Sequence, residues 1–351
     1  METETAKTGL RSALRQQIPF VVVVVLFVLS ALVTERALGR PQMLQLRIFS
    51  PRLLLGVAVY VPLLVMYHAT RSVVVEKKSV LDPGTWKAFA ERNLSLETLL
   101  PAVLLLGLVG LVSSTFISYK ALIPEINPFS WDAAFLDLDS WLHGGRHPWK
   151  LLAPVFGSAS MVGFLDTVYV MWFPALILTV IWQAWNGRDP LRAQFFLTYA
   201  LTWIILGLFL AVALSSAGPC YYLDVTGAPS TYDELMLHLA DIDRTRPLMA
   251  LEIQEHLWNA YTGKADFRYE GISAMPSMHV AMAMLMVLVH WRANRLAGIV
   301  AGVFAVLILI GSVMLGWHYA IDGYVGAVLV VPVWWFSGRF LAALRRAADE
   351  G

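Results

Sequence analysis

Residues 296–315 have the sequence LAGIVAGVFAVLILIGSVML, which contains no charged residue. A helix needs about 20 such residues to cross the roughly 30 Å hydrocarbon core of a bilayer. The stretch MPSMH, residues 275–279, begins the preceding apolar run, and GWHYAID, residues 316–322, follows directly. Two crossings therefore separate His279 from His318, and two crossings return a chain to the same side. The sequence predicts that both imidazoles lie at one membrane face.

The composition of the 351-residue chain is that of a membrane protein. Hydrophobic residues make up 58% of it, above the roughly 45–50% of soluble proteins, and the mean hydropathy is +0.63. A net charge of +1 gives no reason to expect a nucleic-acid partner. Cys220 is the single cysteine of the sequence, which excludes an internal disulfide and a cysteine-based metal cluster.

Apolar runs along the chain predict an all-α, polytopic membrane helix bundle with about eight spans. We expect an N-terminal region of two hydrophobic helices and an interfacial segment (1–96), a membrane domain that contains the six later spans (97–345) and a cytoplasmic tail (346–351). Two polar segments, 120–150 and 216–274, are predicted to be extracytoplasmic. The eight predicted spans are residues 18–33, 53–75, 99–119, 162–185, 192–215, 277–291, 296–315 and 319–344.

Basic residues in short loops set the predicted orientation. The loop with His318 has none and is placed outside, together with the long segment before His279. Three regions are placed in the cytoplasm by Arg188, Arg192, Arg292, Arg295, Arg339, Arg345 and Arg346. Four arginines between the first two runs disagree with the alternation: Arg36, Arg40, Arg47 and Arg52. Either they contact anionic headgroups, or one of those two runs does not span.

A histidine and an acid at the start of the eighth span form one part of a predicted site. His318 and Asp322 are four residues apart, so they share a face of a helix. A carboxylate there can accept the Nδ1 proton of the imidazole and leave Nε2 to attack. A lone histidine near a helix end is usually structural, but ionisable groups within apolar spans are rare and by default functional.

The MPSMH stretch forms the other part of the predicted site. Pro276 suits the first turn of a helix, and the N–H groups near Ser277 can then receive a phosphate. His279 can protonate a leaving oxygen. A nucleophilic histidine, a carboxylate that orients it and a second histidine as acid are the parts of phosphoryl transfer through a phosphohistidine.

These two stretches resemble the second and third signatures of the type 2 phosphatidic acid phosphatase superfamily: Pro276-Ser277-Met278-His279, and His318-Tyr319-Ala320-Ile321-Asp322. The resemblance covers roughly residues 97–345. It implies a six-helix core, a site that faces outward and metal-independent phosphoryl transfer. By the same resemblance His318 is the nucleophile, Asp322 its partner and His279 the general acid.

Departures from the superfamily pattern point to one branch of it. Met278 stands where the lipid-phosphatase pattern has Gly, and Gly311 and Ser312 stand where it has a Ser-Arg pair. The first signature, a Lys followed by Arg-Pro, has no clear counterpart near residues 218–222. Residues 120–128 mimic its spacing but lie two spans too early. The chain therefore looks more like the inositol phosphorylceramide synthase and sphingomyelin synthase branch, whose phosphodiester substrates carry one negative charge.

Other polar residues are candidates for binding the substrate. Asp166, near the outer end of the fourth span, can hydrogen-bond a sugar or inositol headgroup. Tyr221 and Tyr222 follow the fifth span and can line the pocket, although interfacial anchoring also explains them. Lys264 and Arg268 precede the MPSMH stretch and can meet phosphate.

A group of charged residues in the segment 120–150 has a different expected role. These side chains can cap the cavity, but we expect them to form a solvated surface: Asp132, Asp137, Asp139, His143, Arg146 and His147.

Three functions are compatible with these features. The first is a membrane phosphotransferase that moves a phosphorylated headgroup from a phospholipid donor to a lipid alcohol. The second is a phosphatase for lipid or polyprenyl phosphates that uses the same residues with water as acceptor. The third is a transporter or scaffold that keeps the fold without the chemistry.

No cofactor is expected from the sequence, and its expected partners are lipids and the bilayer. His279, His318 and Asp322 could imitate a two-histidine, one-carboxylate metal site. We expect no metal there, because Asp322 is placed to bind its own histidine. The oligomeric state does not follow from the sequence.

Overall fold

The computed structural model describes residues 14–39, 44, 49–187, 189–264 and 271–350 of the chain. All regular secondary structure in these residues is helical. The prediction of an all-α, polytopic membrane helix bundle is therefore confirmed. Four arginines named above, Arg40, Arg47, Arg188 and Arg268, lie outside the described residues.

We number the helices in chain order. The first nine are α1 (Ile18–Ala37), α2 (Ser50–Val74), α3 (Pro83–Asn93), α4 (Leu96–Lys120), α5 (Ile123–Ile126), α6 (Asp132–Leu142), α7 (Pro148–Phe156), α8 (Ala159–Val170) and α9 (Trp172–Asn186). The rest are α10 (Asp189–Ile204), α11 (Ala211–Ala213), α12 (Tyr222–Thr226), α13 (Thr231–Asp243), α14 (Met249–Tyr261), α15 (Met278–Ala293), α16 (Arg295–Met314) and α17 (Ala320–Glu350). A π-helical segment, Ile205–Leu210, joins α10 to α11, and a 3₁₀ turn, Pro219–Tyr221, precedes α12.

Within the described residues, seven helical stretches are long and apolar enough to cross a membrane. They are Ile18–Ala37, Ser50–Val74, Leu96–Lys120, Ala159–Trp185, Pro190–Ala213, Arg295–Met314 and Ala320–Ala348. Helix α15 is apolar but has 16 residues, which is only about 24 Å of helix. It takes the place of the short sixth span that the sequence predicts. The chain is a multi-pass membrane protein, and both N-terminal runs have the length and composition of spans.

Short α15 is the centre of the bundle. It packs against α9, α10, α16 and α17, and its small residues Ala281 and Ala283 are fully buried. A Cβ on Gly326 of α17 would lie 2.6 Å from the carbonyl oxygen of Ser277. Small residues allow the backbones of α15 and α17 to approach closely, as in other membrane helix pairs.

Side-chain caps mark where helices begin. Ser277 caps α15 by accepting the N–H of Val280, and Asn294 caps α16 by accepting the N–H of Ala297. Each cap satisfies a backbone donor that the first turn of a helix leaves unpaired. Pro276 lies before the cap of α15, outside the first turn, so its predicted helical position is wrong.

The two N-terminal helices lie at the periphery of the bundle. Helix α1 packs against α4 and α10, and α2 packs against α9 and α4. Much of the apolar surface of both helices is exposed, for example Leu26 and Leu54. Apolar side chains on this surface suit contact with lipid chains.

We expect Gly56→Ala to weaken the contact of α2 with α9. A Cβ at Gly56 would contact Ile177 and would lie 2.8 Å from Cδ1 of Ile181. Overpacking of this kind costs about 1–3 kcal/mol. The free energy of unfolding in detergent micelles should fall accordingly. Gly107→Ala on α4 is the matched control, because no atom lies within 4 Å of its added Cβ. Equal stability of the two variants would contradict the packing described for α2.

Candidate active site

Three polar segments interlock at one end of the bundle. The N–H of Ala274 donates to the carbonyl of Ser216 at 2.9 Å, and the N–H of Cys220 donates to the carbonyl of Gly316 at 3.0 Å. The N–H of Ser277 donates to the carbonyl of Asp322, also at 3.0 Å. Because these bonds join residues far apart in the sequence, the segments before α12, α15 and α17 form one structural unit.

His318 and Asp322 form a buried pair within this unit. Nδ1 of His318 lies 3.3 Å from Oδ2 of Asp322, and the two residues are 5% and 0% exposed. The same Oδ2 accepts the N–H of Tyr319 at 3.2 Å. Helix α17 begins at Ala320, so His318 precedes the helix and does not share a helical face with Asp322 as predicted. A turn that Asp322 caps brings the two side chains together instead.

His279 lies in the first turn of α15 between aromatic rings. Its ring centroid is 4.7 Å from that of Tyr169 and 4.2 Å from that of Trp172. Nε1 of Trp172 also donates to the carbonyl of His279 at 2.8 Å. The centroids of His279 and His318 are 6.3 Å apart. At this separation one phosphate group between the rings can contact both imidazoles.

A cavity of about 430 Å³ joins the two histidines to the interior of the bundle. Along α4 it extends from Lys120 to Ser113, which is about 10 Å of helix. At its inner end the hydroxyls of Ser113 and Tyr199 lie 2.9 Å apart. Most of its lining is apolar or aromatic, including Phe49, Phe116, Tyr169, Trp172, Phe173, Tyr199, Trp203 and Trp317.

Lys120 lines the same cavity as His279 and His318. The interpretation that residues 120–128 lie two spans too early to take part is therefore wrong for Lys120, since α4 ends beside the histidines. Asn127, in contrast, is not among the residues that line the cavity. Its Nδ2 donates to the carbonyl of Val212 at 2.7 Å. The spacing of residues 120–128, which mimics the first signature of the superfamily, was the signal in the sequence that pointed to Lys120. The order of the spans did not show that Lys120 lies beside the histidines.

Burial lowers the pKa of His318 to about 3. The positive charge of Lys120 lowers it further in the same direction, and the carbonyl of Ala274 opposes both effects. His318 is therefore neutral at physiological pH, which is the form of an imidazole that can act as a nucleophile.

Two of the predicted substrate-binding residues line the cavity but already have backbone partners. The carboxylate of Asp166 accepts the N–H groups of Met249 and Ala250 at 3.0 and 2.9 Å, and so caps α14. The hydroxyl of Tyr221 donates to the carbonyl of Gln254 at 2.8 Å. Both side chains are oriented by these bonds and contribute surface to the cavity wall.

The other predicted substrate-binding residues are not among those that line the cavity. Ser277 is fully buried as the cap of α15, and Tyr222 is buried outside the lining. Lys264 is exposed after the end of α14. Arg268 lies outside the described residues, so its predicted role remains a prediction.

The prediction of a solvated surface is wrong for Asp132 and Asp139. Their exposed fractions are 2% and 0%. Asp132 accepts the N–H groups of Ala217 and Gly218, and Asp139 accepts those of Ala320 and Ile321. A spacing of seven residues on one helix, with the apolar Phe135 between them, was the available signal of a buried face.

Comparison with known proteins places the chain in a family. The model of the PAP2 superfamily matches residues 133–336, which is more than half of the chain. The protein belongs to this superfamily, which confirms the resemblance at superfamily level and indicates phosphatase or phosphotransferase chemistry. No curated protein and no solved structure matches the chain.

We expect His318 to react with diethyl pyrocarbonate at nearly equal rates at pH 7 and pH 5. A histidine with the usual pKa of about 6.5 loses about 25-fold in its neutral fraction over this range, whereas His318 stays neutral. Mass spectrometry of peptides digested from the modified protein measures both rates, with N-acetylhistidine in the same solution as the reference. A decline at His318 that parallels the decline of the reference would show that His318 is not held neutral.

Proposed function

We propose that the protein is an integral membrane phosphotransferase that moves a phosphorylated headgroup from a phospholipid donor to a lipid alcohol. The main support is that both imidazoles and one lysine face a single cavity that continues into the apolar interior of the bundle. Catalysis is assigned to His318, Asp322 and His279, and the reaction needs no metal in this proposal.

The first step transfers the headgroup to the protein. Nε2 of His318 attacks the phosphorus while Asp322 holds the imidazole through Nδ1. The bond from phosphorus to the diacylglycerol oxygen breaks, and that oxygen takes a proton from His279. The negative phosphate between the rings favours the protonated form of His279 that this step requires.

The second step releases the product. The acceptor alcohol gives its proton to His279 while its oxygen attacks the phosphorus. The bond from phosphorus to Nε2 breaks, and the headgroup phosphate leaves on the acceptor lipid. His318 returns to its neutral form and His279 to its protonated form, so the protein is ready for another donor.

The charge of the cavity favours a phosphodiester as substrate. Among the described residues that line it, Lys120 is the one with a cationic side chain and Asp166 the one with a carboxylate, which is bonded to two backbone N–H groups. A phosphodiester carries one negative charge and a phosphomonoester carries up to two, so a single lysine matches the diester better. The part of the cavity that extends from Lys120 toward Ser113 is lined mostly by apolar and aromatic side chains, which suits a lipid chain.

The alternative is a phosphatase for lipid or polyprenyl phosphates. It uses the same three residues, with water in place of the lipid alcohol in the second step. Membership of the PAP2 superfamily supports the phosphatase and the transferase equally, and the charge of the cavity is the observation that favours the transferase.

We also propose that the site is on the extracytoplasmic face and that residues 97–345 form the catalytic domain. Arg292 and Arg295 lie at the opposite end of α15 and α16 from the two histidines. Basic residues mark the cytoplasmic ends of membrane helices. Helices α4, α8, α9, α10 and α15 all contribute to the cavity, and Phe49, just before α2, is the one lining residue among the described residues of the segment 1–96.

Variants of the two histidines test the mechanism. We expect His318→Ala to lower transfer more than about 1,000-fold, because it removes the nucleophile. His279→Gln should lower it at least about 100-fold through loss of acid–base catalysis. His290→Gln is the matched control on α15, since His290 lies at the other end of the helix against Trp182; it should keep activity within about twofold.

The assay uses purified protein in vesicles with a phospholipid labelled in its headgroup phosphate. The transferase moves the label to a second lipid only when ceramide, or a diacylglycerol whose acyl chains differ from those of the donor, is added as acceptor. Release of free phosphate from a lipid phosphate without acceptor selects the phosphatase. Full activity of His318→Ala would refute both mechanisms. A physiological role that survives Asp322→Asn would favour the transporter or scaffold.

We expect Gly207→Leu to block the lipid part of the cavity. Gly207 lies in the π-helical segment and lines the cavity, and a Cβ there would lie 2.8 Å from Phe116. The KM for the lipid donor should rise at least about tenfold, since a leucine side chain occupies the volume of several methylene groups. Gly302→Leu on α16 is the control, because its added Cβ meets no atom within 4 Å. An unchanged KM in Gly207→Leu would exclude this part of the cavity as the binding site of the lipid chain.

A further inference from the structure

Two buried carboxylates on α6 contact the segments around His318 without lining the cavity. Asp132 and Asp139 are two helical turns apart and so lie on one face of α6. Both side chains are more than nine-tenths buried. Neither is among the residues that line the cavity, so neither contacts the substrate in the proposed reaction.

Asp139 holds the first turn of α17. Its Oδ2 accepts the N–H of Ala320 at 2.8 Å, and its Oδ1 accepts the N–H of Ile321 at 2.9 Å. The first N–H groups of a helix lack partners within the helix and carry partial positive charge. A carboxylate is therefore a strong anchor at this position. Because Asp322 lies one residue further on, the anchor also places the carboxylate that orients His318.

Asp132 joins the start of α17 to the segment after α11. Its Oδ1 accepts the hydroxyl of Ser216 at 2.8 Å, the N–H of Gly218 at 2.9 Å and the hydroxyl of Tyr319 at 3.2 Å. Its Oδ2 accepts the N–H of Ala217 at 3.0 Å. The carbonyl of Ser216 in turn accepts the N–H of Ala274, five residues before His279. Through these bonds Asp132 links the two segments that carry the imidazoles.

We propose that Asp132 and Asp139 are positioning residues, which together fix the distance and orientation between His318 and His279 from helix α6. This proposal rests on the proposed function, since it assigns the two acids to the same reaction. They act through the backbone of residues 216–218 and 319–321 and exchange no proton with the substrate. A displacement of about 1 Å between catalytic groups can lower a rate about 100-fold, so such an anchor affects kcat more than KM.

The test compares Asp139→Asn and Asp132→Asn with Asp137→Asn. Asp137 is exposed on the same helix, so its variant changes the same charge without the buried contacts. We expect kcat to fall about 10- to 100-fold in the two buried variants, with KM changed less than about threefold. Asp137→Asn should keep both constants. Gel filtration and thermal unfolding in detergent measure how much of each preparation is folded, and kcat is taken per folded protein.

A second readout does not depend on the lipid substrate. The ratio of His318 reaction rates with diethyl pyrocarbonate at pH 7 and pH 5 should rise at least about fivefold in Asp139→Asn, because a loosened turn admits water and restores ordinary titration. If wild-type protein neither transfers nor hydrolyses any lipid tested, the proposed function fails, while this ratio still tests the positioning role.

Tyr319→Phe keeps the test decisive where an aspartate variant does not fold. It removes one hydroxyl that donates to Asp132 and keeps a fully buried aromatic ring. We expect kcat to fall about 3- to 10-fold with KM unchanged, since one bond of several is lost. A kcat per folded protein within about twofold of wild type in Tyr319→Phe and in each aspartate variant that folds, with an unchanged pH ratio at His318, would overturn the proposal.

Discussion

A buried imidazole and carboxylate must have polar partners, and this constraint shapes the whole active end of the bundle. Asp322 is fully buried, and leaving such a group without partners would cost several kcal/mol. His318 and the N–H of Tyr319 satisfy its Oδ2, whereas its Oδ1 has no hydrogen-bond partner among the described residues. Asp139 accepts the next two N–H groups of α17. Apolar helices cannot supply hydrogen-bond partners for such buried polar groups. The polar segments outside the spans supply them, which explains why these segments fold into the site.

The cavity combines two environments that a lipid substrate requires. At one end are the two imidazoles and Lys120, and toward the interior are aromatic and apolar side chains that end at the Ser113 and Tyr199 hydroxyls. A phosphate needs polar contacts and a lipid chain needs apolar volume, and α4 passes through both. The short α15 makes this possible, because its first turn with His279 lies at the head of the cavity rather than beyond it.

Features that depend on neighbouring residues in the sequence could be predicted, such as spans and polar residues at their ends. Features that depend on contacts between residues far apart in the sequence could not. Apolar runs identified the spans, and His279, His318 and Asp322 were recognisable because they stand where such runs meet polar sequence. Asp132, Asp139 and Asp166 accept backbone N–H groups more than 80 residues away. An acid that caps a distant helix has the same local sequence as an acid on a solvated surface. Lys120 was missed because chain order does not show which spans are neighbours.

The most direct test of the account is the identification of the covalent intermediate during turnover. Protein in vesicles is mixed with a phospholipid donor, quenched with alkali within milliseconds to preserve the bond from phosphorus to nitrogen, and digested for mass spectrometry. The account predicts the headgroup phosphate on His318, formed together with diacylglycerol, before any transferred lipid, and lost when the acceptor lipid is added. Steady turnover without modification of His318, or with the phosphate on His279, would contradict it.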